Sequence, residues 1–162
     1  MQPATTVPVA TATPMDSRWR DVALSSVRAT VSARAQRATS TEAIAWKLAS
    51  GATLSLYMDE WRSPIDPESV LSAIEGAIAN PDAAGVYHLG GPERITRFDL
   101  GRRVAQLTGL PADGILGASR TGHRGAPRAR DVSLDSSRAR RDLGYAPRPL
   151  DVAILEGRTR PD

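Results

Sequence analysis

A chain of 162 residues suits one domain, but a single phenylalanine and an aromatic content of 4% restrict the core it can build. The lack of cysteine excludes disulfides, thiolate nucleophiles and cysteine-based zinc sites. A net charge of +3 gives weak support to nucleic-acid binding, which wants a clustered basic face, and Phe98 is the only phenylalanine that could stack on a base. The excess charge is local: residues 1–50 hold six basic and three acidic side chains, and the rest of the chain is balanced. Lys47 is the only lysine. No apolar run approaches the length of a membrane span, and the N-terminus lacks the apolar core of a secretory signal. A cytoplasmic protein is the expectation.

Residues 1–40 are Ala, Thr, Ser, Val and Arg, with few acids and no glycine. They read as a disordered, low-complexity leader or an atypical start to the domain. A basic amphipathic helix with Val22, Val27 and Val31 inside is one alternative, and a transit-peptide-like composition another. From Thr41 the pattern sharpens. TEAIAWKLAS is a helix, with Gly51 just past its end. TLSLYM alternates as a strand, with Leu54 and Tyr57 or Leu56 and Met58 competing for the buried face. The turn DEWRSPI follows, its paired acids Asp59 and Glu60 read as turn polarity.

The next helix has a legible start. Asp66 can cap the orphan N–H groups, and Pro67 fits the first helical position. Val70, Leu71, Ile74, Ala77 and Ile78 share one face, and Asn80-Pro81 ends the helix. Gly85 opens a strand, VYHL, that Gly90-Gly91 closes. After a loop, Thr96 and Asp99 form an approximate capping box for a helix whose inner face is Leu100, Val104 and Leu107, ending at Gly109. A short strand lies around Ile115-Leu116, then a Gly- and Arg-rich loop, then a brief strand, DVSLD. Asp135 caps the helix SSRARRDL, which stops at Gly144, and LDVAILEG is a last helical stretch. The fold class is α+β, with no internal repeat.

This order of pieces resembles the C-terminal part of extended short-chain dehydrogenase/reductases, specifically the dTDP-4-dehydrorhamnose reductase-like group. The matching pieces are Gly51, MDEWRSPI, VYHLGG, RFDLGRRVAQLTG and RARDVSLDSSRARRDLGYAPRPL, from Thr41 to Glu156. The resemblance implies a substrate-binding portion at residues 41–157, an atypical leader at 1–40 and a tail at 158–162, with the Rossmann nucleotide-binding half missing. It also implies a nucleotide-sugar ligand, and NAD(P)H for a complete enzyme that would reduce a 4-keto-6-deoxy sugar nucleotide. This chain is expected to bind no cofactor itself. It has no Gly-rich loop of the kind the cofactor pyrophosphate needs, and no Tyr-x-x-x-Lys pair, since Ala43 stands four residues before Lys47. Ala129 departs from the proline usual in the family.

By the same resemblance, Arg62 and Arg128 are the foremost substrate-binding candidates, because arginines in these two loops lie near the nucleotide diphosphate in the family. A planar guanidinium holds two oxygens at once. Arg130 shares the second loop, as do Arg120 and Arg124. Ser63 shapes the turn beside the pocket, and Trp61 stacks on a ligand or packs under the turn. No catalytic residue is assigned: His88 reads as a packed strand residue, His123 has no visible partner, and no metal-ligand spacing occurs. Without the Rossmann half, the apolar faces around Leu54, Ile74 and Leu100 are expected to be partly exposed, so a Rossmann partner in trans or a homo-oligomer is implied. The alternative function is a non-catalytic interaction module or an inactive remnant.

Overall fold

Glycine sets the first boundary. Helix α1 (Ser40–Ala49) closes when Gly51 takes a φ of 73°, so that Gly51 N–H reaches the Leu48 carbonyl (3.0 Å) and Ala52 N–H the Lys47 carbonyl (3.0 Å). The computed structural model describes residues 21–22, 25–26, 40–122 and 125–157. The leader, the tail, Val27, Val31, His123 and Arg124 therefore lie outside the described residues, while Val22, expected inside, is exposed with no described element over it.

Strand β1 (Leu54–Tyr57) runs parallel to a strand sixty residues on. Leu54 and Leu56, two apart, share the buried face, so neither of the expected pairings holds: Tyr57 is half-buried and Met58 exposed. The turn that follows is itself paired. β2 (Trp61–Arg62) lies antiparallel to β3 (Ile95–Thr96), and a parallel bridge joins Trp61 to Asp131 on its other side.

Helix α2 (Pro67–Ala79) begins as its sequence dictates, with Asp66 accepting from Glu68 N–H (3.0 Å) and Ser69 N–H (3.2 Å). Of the expected aliphatic face Leu71 is buried, while Val70, Ile74, Ala77 and Ile78 stay half-buried; the closest packing is on the side of Ser69, Ala73 and Gly76. The small face exists because α2 packs against α4 (Ser137–Leu143) at very short range: a Cβ on Gly76 would sit 2.2 Å from the Leu143 carbonyl oxygen.

Helix α3 (Arg97–Thr108) is capped by Thr96, whose hydroxyl accepts from Asp99 N–H (3.0 Å). Leu100, Gly101, Val104 and Ala105 form its buried face; Leu107 is only partly covered. It packs on α1, β1, α5 (Leu150–Gly157) and β4 (Ile115–Ala118), the parallel partner of β1. Asp135 was expected to cap α4, but Ser136 holds that position; Asp135 still accepts from Ser137 N–H (2.9 Å) from one residue outside.

Two expected strands are not strands. Among the described residues nothing pairs with Val86–Leu89, although burial alternates, with Tyr87 and Leu89 turned inward. DVSLD keeps only the Asp131 bridge, because Ser133 N–H folds back onto the Asp131 carboxylate (2.9 Å) and Leu134 N–H goes to the Ser63 hydroxyl (3.0 Å). The result is a mixed α+β fold with two two-stranded sheets and five short helices among the described elements. Of the faces expected to be partly exposed, Leu54 and Leu100 themselves are buried in the chain's own core and Ile74 is half-covered, while Met58 and Leu116 near Leu54 are exposed. Among the described residues, no helix is long and apolar enough to cross a membrane.

Candidate functional site

The site starts from a buried carboxylate. The inward alternation of Leu54 and Leu56 stops at Met58, which is exposed, and the chain turns inward again at Glu60, whose side chain is 0% exposed. Asp59 turns the other way, accepting from Ser119 Oγ (2.8 Å) and Arg120 N–H (2.8 Å). The Arg120 amide and then the Ser119 hydroxyl hold the Asp59 carboxyl below the usual carboxylate range. Both acids are thus structural ties rather than the turn polarity expected of them.

A buried charge is tolerated only when it is paired and hydrogen-bonded. Glu60 accepts from Arg128 Nε, from Arg128 Nη2 (3.1 Å) and from Arg62 Nη2 (3.4 Å). The Arg128 hydrogen bond outweighs burial, which acts the other way, and keeps the Glu60 carboxyl below its ordinary value. The Arg128 guanidinium also lies 5.2 Å from the Tyr57 ring centroid. Arg62 and Arg128, 66 positions apart in the sequence, therefore meet on one carboxylate.

Beside this knot opens a cavity of about 290 Å³, with Arg62, Ser63, Thr96 and Arg97 on its wall and Leu89 and Leu134 among its apolar lining. Arg62 donates a second N–H to the Trp61 carbonyl (2.7 Å). The Ser63 carbonyl accepts from Gly91 N–H (3.1 Å). The Gly-Gly pair is required here: a Cβ on Gly91 would lie 1.6 Å from the Pro64 carbonyl oxygen, and one on Gly90 2.6 Å from the Ser63 hydroxyl.

The other expected residues sit outside the cavity. One face of Trp61 carries the Arg94 guanidinium at 3.8 Å, and Arg94 in turn donates to Asp131 through Nε (2.9 Å) and Nη2 (2.7 Å). The Ser133 hydroxyl and amide, and then Arg94, hold the Asp131 carboxyl far below the carboxylate range. Arg130 is exposed; its carbonyl accepts from Trp61 N–H (2.8 Å). His88 is exposed rather than packed, since no strand pairs with its segment.

Sequence reasoning missed Glu60, Arg94 and Arg97. No local signal marked Glu60, since the period-two alternation from Leu54 breaks at exposed Met58. A larger cavity, about 490 Å³, lies between the N-termini of α1 and α2 and the side of α5, and takes in none of the five expected residues. Among the described residues no group of three His, Cys, Asp or Glu side chains could hold a metal ion.

In fold, the chain resembles part of several solved sugar-nucleotide enzymes, reductases, a dehydratase and an epimerase among them. A dTDP-4-dehydrorhamnose reductase from Clostridium acetobutylicum superposes with a TM-score of 0.65 at 14% identity, over 73% of this chain and 42% of that one. A dTDP-4-dehydrorhamnose reductase from Bacillus anthracis, in complex with NADP, gives 0.61 at 15% identity, over 74% and 41%. A dTDP-glucose 4,6-dehydratase from Streptomyces venezuelae, with NAD bound, gives 0.57 at 23% identity, over 72% and 36%. The chain thus spans about two fifths of each of these enzymes. No protein-family model and no curated sequence matches it, so the likeness is one of fold.

Proposed function

We propose that this chain is the nucleotide-sugar-binding portion of an NAD(P)-dependent sugar-nucleotide reductase or epimerase, of the dTDP-4-dehydrorhamnose reductase-like kind. It binds the sugar nucleotide and leaves hydride transfer to a Rossmann domain, supplied in trans or by a longer chain. Arg62, Ser63, Arg128, Arg130 and Trp61 are the residues proposed to form the ligand site, by contact or by holding the contacting residues in place. The observation that carries this reading is the convergence of Arg62 and Arg128 on Glu60 at the edge of a cavity that Arg62 and Ser63 line. Convergent cations beside an apolar wall suit a ligand with an anionic centre and a carbon-rich end.

Thermal unfolding of the full chain with dTDP, a dTDP-sugar, UDP-sugars and NADPH tests it. A sugar nucleotide at a hundredfold excess over its Kd stabilises by about 2.7 kcal/mol, and NADPH should give no shift. A shift with NADPH alone overturns the assignment of the cofactor to another domain, and no shift with any ligand overturns nucleotide-sugar binding. The second reading, an interaction module, is favoured by exposed apolar side chains, Val86 at 70% and Trp46 at 72%.

A further inference from the structure

Three arginines stand around Glu60, and they are not equivalent. Arg128 commits its Nε and Nη2 edge to the carboxylate, the fork that would otherwise take an oxyanion side-on. Arg62 makes one long contact with it, at 3.4 Å. Arg97 donates only its backbone N–H, to the Glu60 carbonyl (3.2 Å), which fixes where its side chain begins. One carboxylate shared among three arginines leaves the site with net positive charge. Both line the 290 Å³ cavity, which Arg128 does not, and no carboxylate among the described residues lines it. The 490 Å³ cavity has the opposite character, with Glu42, Asp66, Glu68 and Glu156 against Arg148.

We propose that Arg62 and Arg97 form the seat for the phosphate groups of the ligand, and that Arg128 is a positioning residue that holds Glu60, and through it Arg62, in place. The ligand class rests on the nucleotide-sugar reading above; the division of labour among the arginines does not. Arg62 and Arg97 line one cavity, and their N–H groups beyond those Arg62 gives to Glu60 and the Trp61 carbonyl can donate to neighbouring phosphates. A volume of about 290 Å³ is at the low end for a small-molecule pocket and suits a diphosphate with part of its substituent, the remainder lying outside. Arg97 sits on the first turn of α3.

The experiment is calorimetric titration of the full chain with pyrophosphate, dTDP and a dTDP-sugar, in parallel with thermal unfolding. Arg97→Gln should weaken dTDP binding roughly tenfold to a hundredfold, the range for a lost charge-assisted contact, with an unchanged melting temperature. Arg128→Gln should lower both the melting temperature and the affinity, because it strands the Glu60 charge. Adding Glu60→Gln to Arg128→Gln removes the stranded charge, so melting temperature and affinity should both recover to within roughly threefold of the parent in Kd; a residue touching phosphate directly would not be rescued. If dTDP binds and Arg97→Gln binds it equally well, or the double variant stays impaired, the proposal is overturned and nucleotide-sugar binding stands. If pyrophosphate binds through Arg62 and Arg97 but no nucleotide does, the anion seat stands and the nucleotide-sugar reading falls. If neither binds, both fall.

Discussion

Around Val104 and Ala105 the chain buries eleven hydrophobic residues from α1, β1, β3, α3, β4 and α5. Around Tyr145 it buries three, of which two are alanines. The first region is held by side-chain volume, filling the space between a helix and a sheet. The second is held by close backbone approach and by side chains reaching across to main chain. Tyr145 donates to the Gly90 carbonyl (2.8 Å), Asn80 to the Asp142 carbonyl (2.8 Å), and Arg138 to the carbonyls of Ala84 (2.7 Å) and Val86 (3.2 Å). Burial pushes the Tyr145 hydroxyl up to about 12, so it remains a donor across the ordinary pH range. The contrast is one of means, side-chain volume in the first region and polar reach to main chain in the second. Both leave apolar surface: Trp46, Leu116 and Leu155 are exposed on elements of the first, while in the second Val70, Ile74 and Ile78 are half-covered and Val86 is exposed.

The strongest way to break that comparison is Leu100→Ala, in the centre of the larger region. Deleting a buried leucine side chain costs about 2–5 kcal/mol, the spread reflecting how far the cavity collapses. Urea unfolding should show the whole loss as a shift of midpoint. A loss below about 1 kcal/mol, the size of a conservative core swap, would mean that stability does not reside there. A smaller effect is expected from Gly76→Ala. Its new methyl would meet a backbone oxygen at 2.2 Å, and backbone cannot rotate away as a side-chain tip can, so α2 and α4 must separate. The cost is about 1–3 kcal/mol. Hydrogen exchange should accelerate in α2 and α4 while α3 keeps its protection; uniform acceleration through α3 would join the two regions into one cooperative unit.

The two regions were also unequally legible. Signals that act within a few residues read correctly: Asp66-Pro67 before α2, Thr96 with Asp99 before α3, and Gly109 and Gly144 in left-handed conformations after α3 and α4. What depends on a partner far along the chain did not. β2 and β3 are two residues each and exist only because they face one another, whereas VYHL has strand composition and no described strand beside it. The aliphatic face of α2 was identified from its spacing, but spacing cannot say whether anything covers it; the covered side is the one where Ala73 and Gly76 let α4 come close. At the site, Arg62 and Arg128 were named from the family resemblance, while the Glu60 they share was read as turn polarity.

The mildest test acts on the junction between the regions. Asp66 caps α2 and also accepts from Arg148 through Nη2 (2.6 Å) and Nε (3.1 Å), and Arg148 pairs as well with Glu156 on α5. Burial pushes the Asp66 carboxyl upward, but the Ser69 hydroxyl and the Arg148 guanidinium outweigh it and hold it below the usual carboxylate range. A depressed folded-state value means the unfolded chain binds the proton more readily. The stabilisation is therefore complete above about pH 5 and is lost as pH falls through the folded value, below roughly pH 4. Asp66→Asn keeps a good cap, because Asn and Asp are nearly equal there, and gives up the ion pair. At neutral pH it should cost roughly 0.5–1 kcal/mol, the net worth of one such interaction. Other depressed carboxyls, Glu60 and Asp59 among them, also lower the parent's stability in acid. Only the difference between parent and variant isolates Asp66, and that difference should shrink toward zero as pH drops from 5 to about 3. If it stays constant over that range, Asp66 does not titrate against Arg148, and the two regions are joined by packing alone.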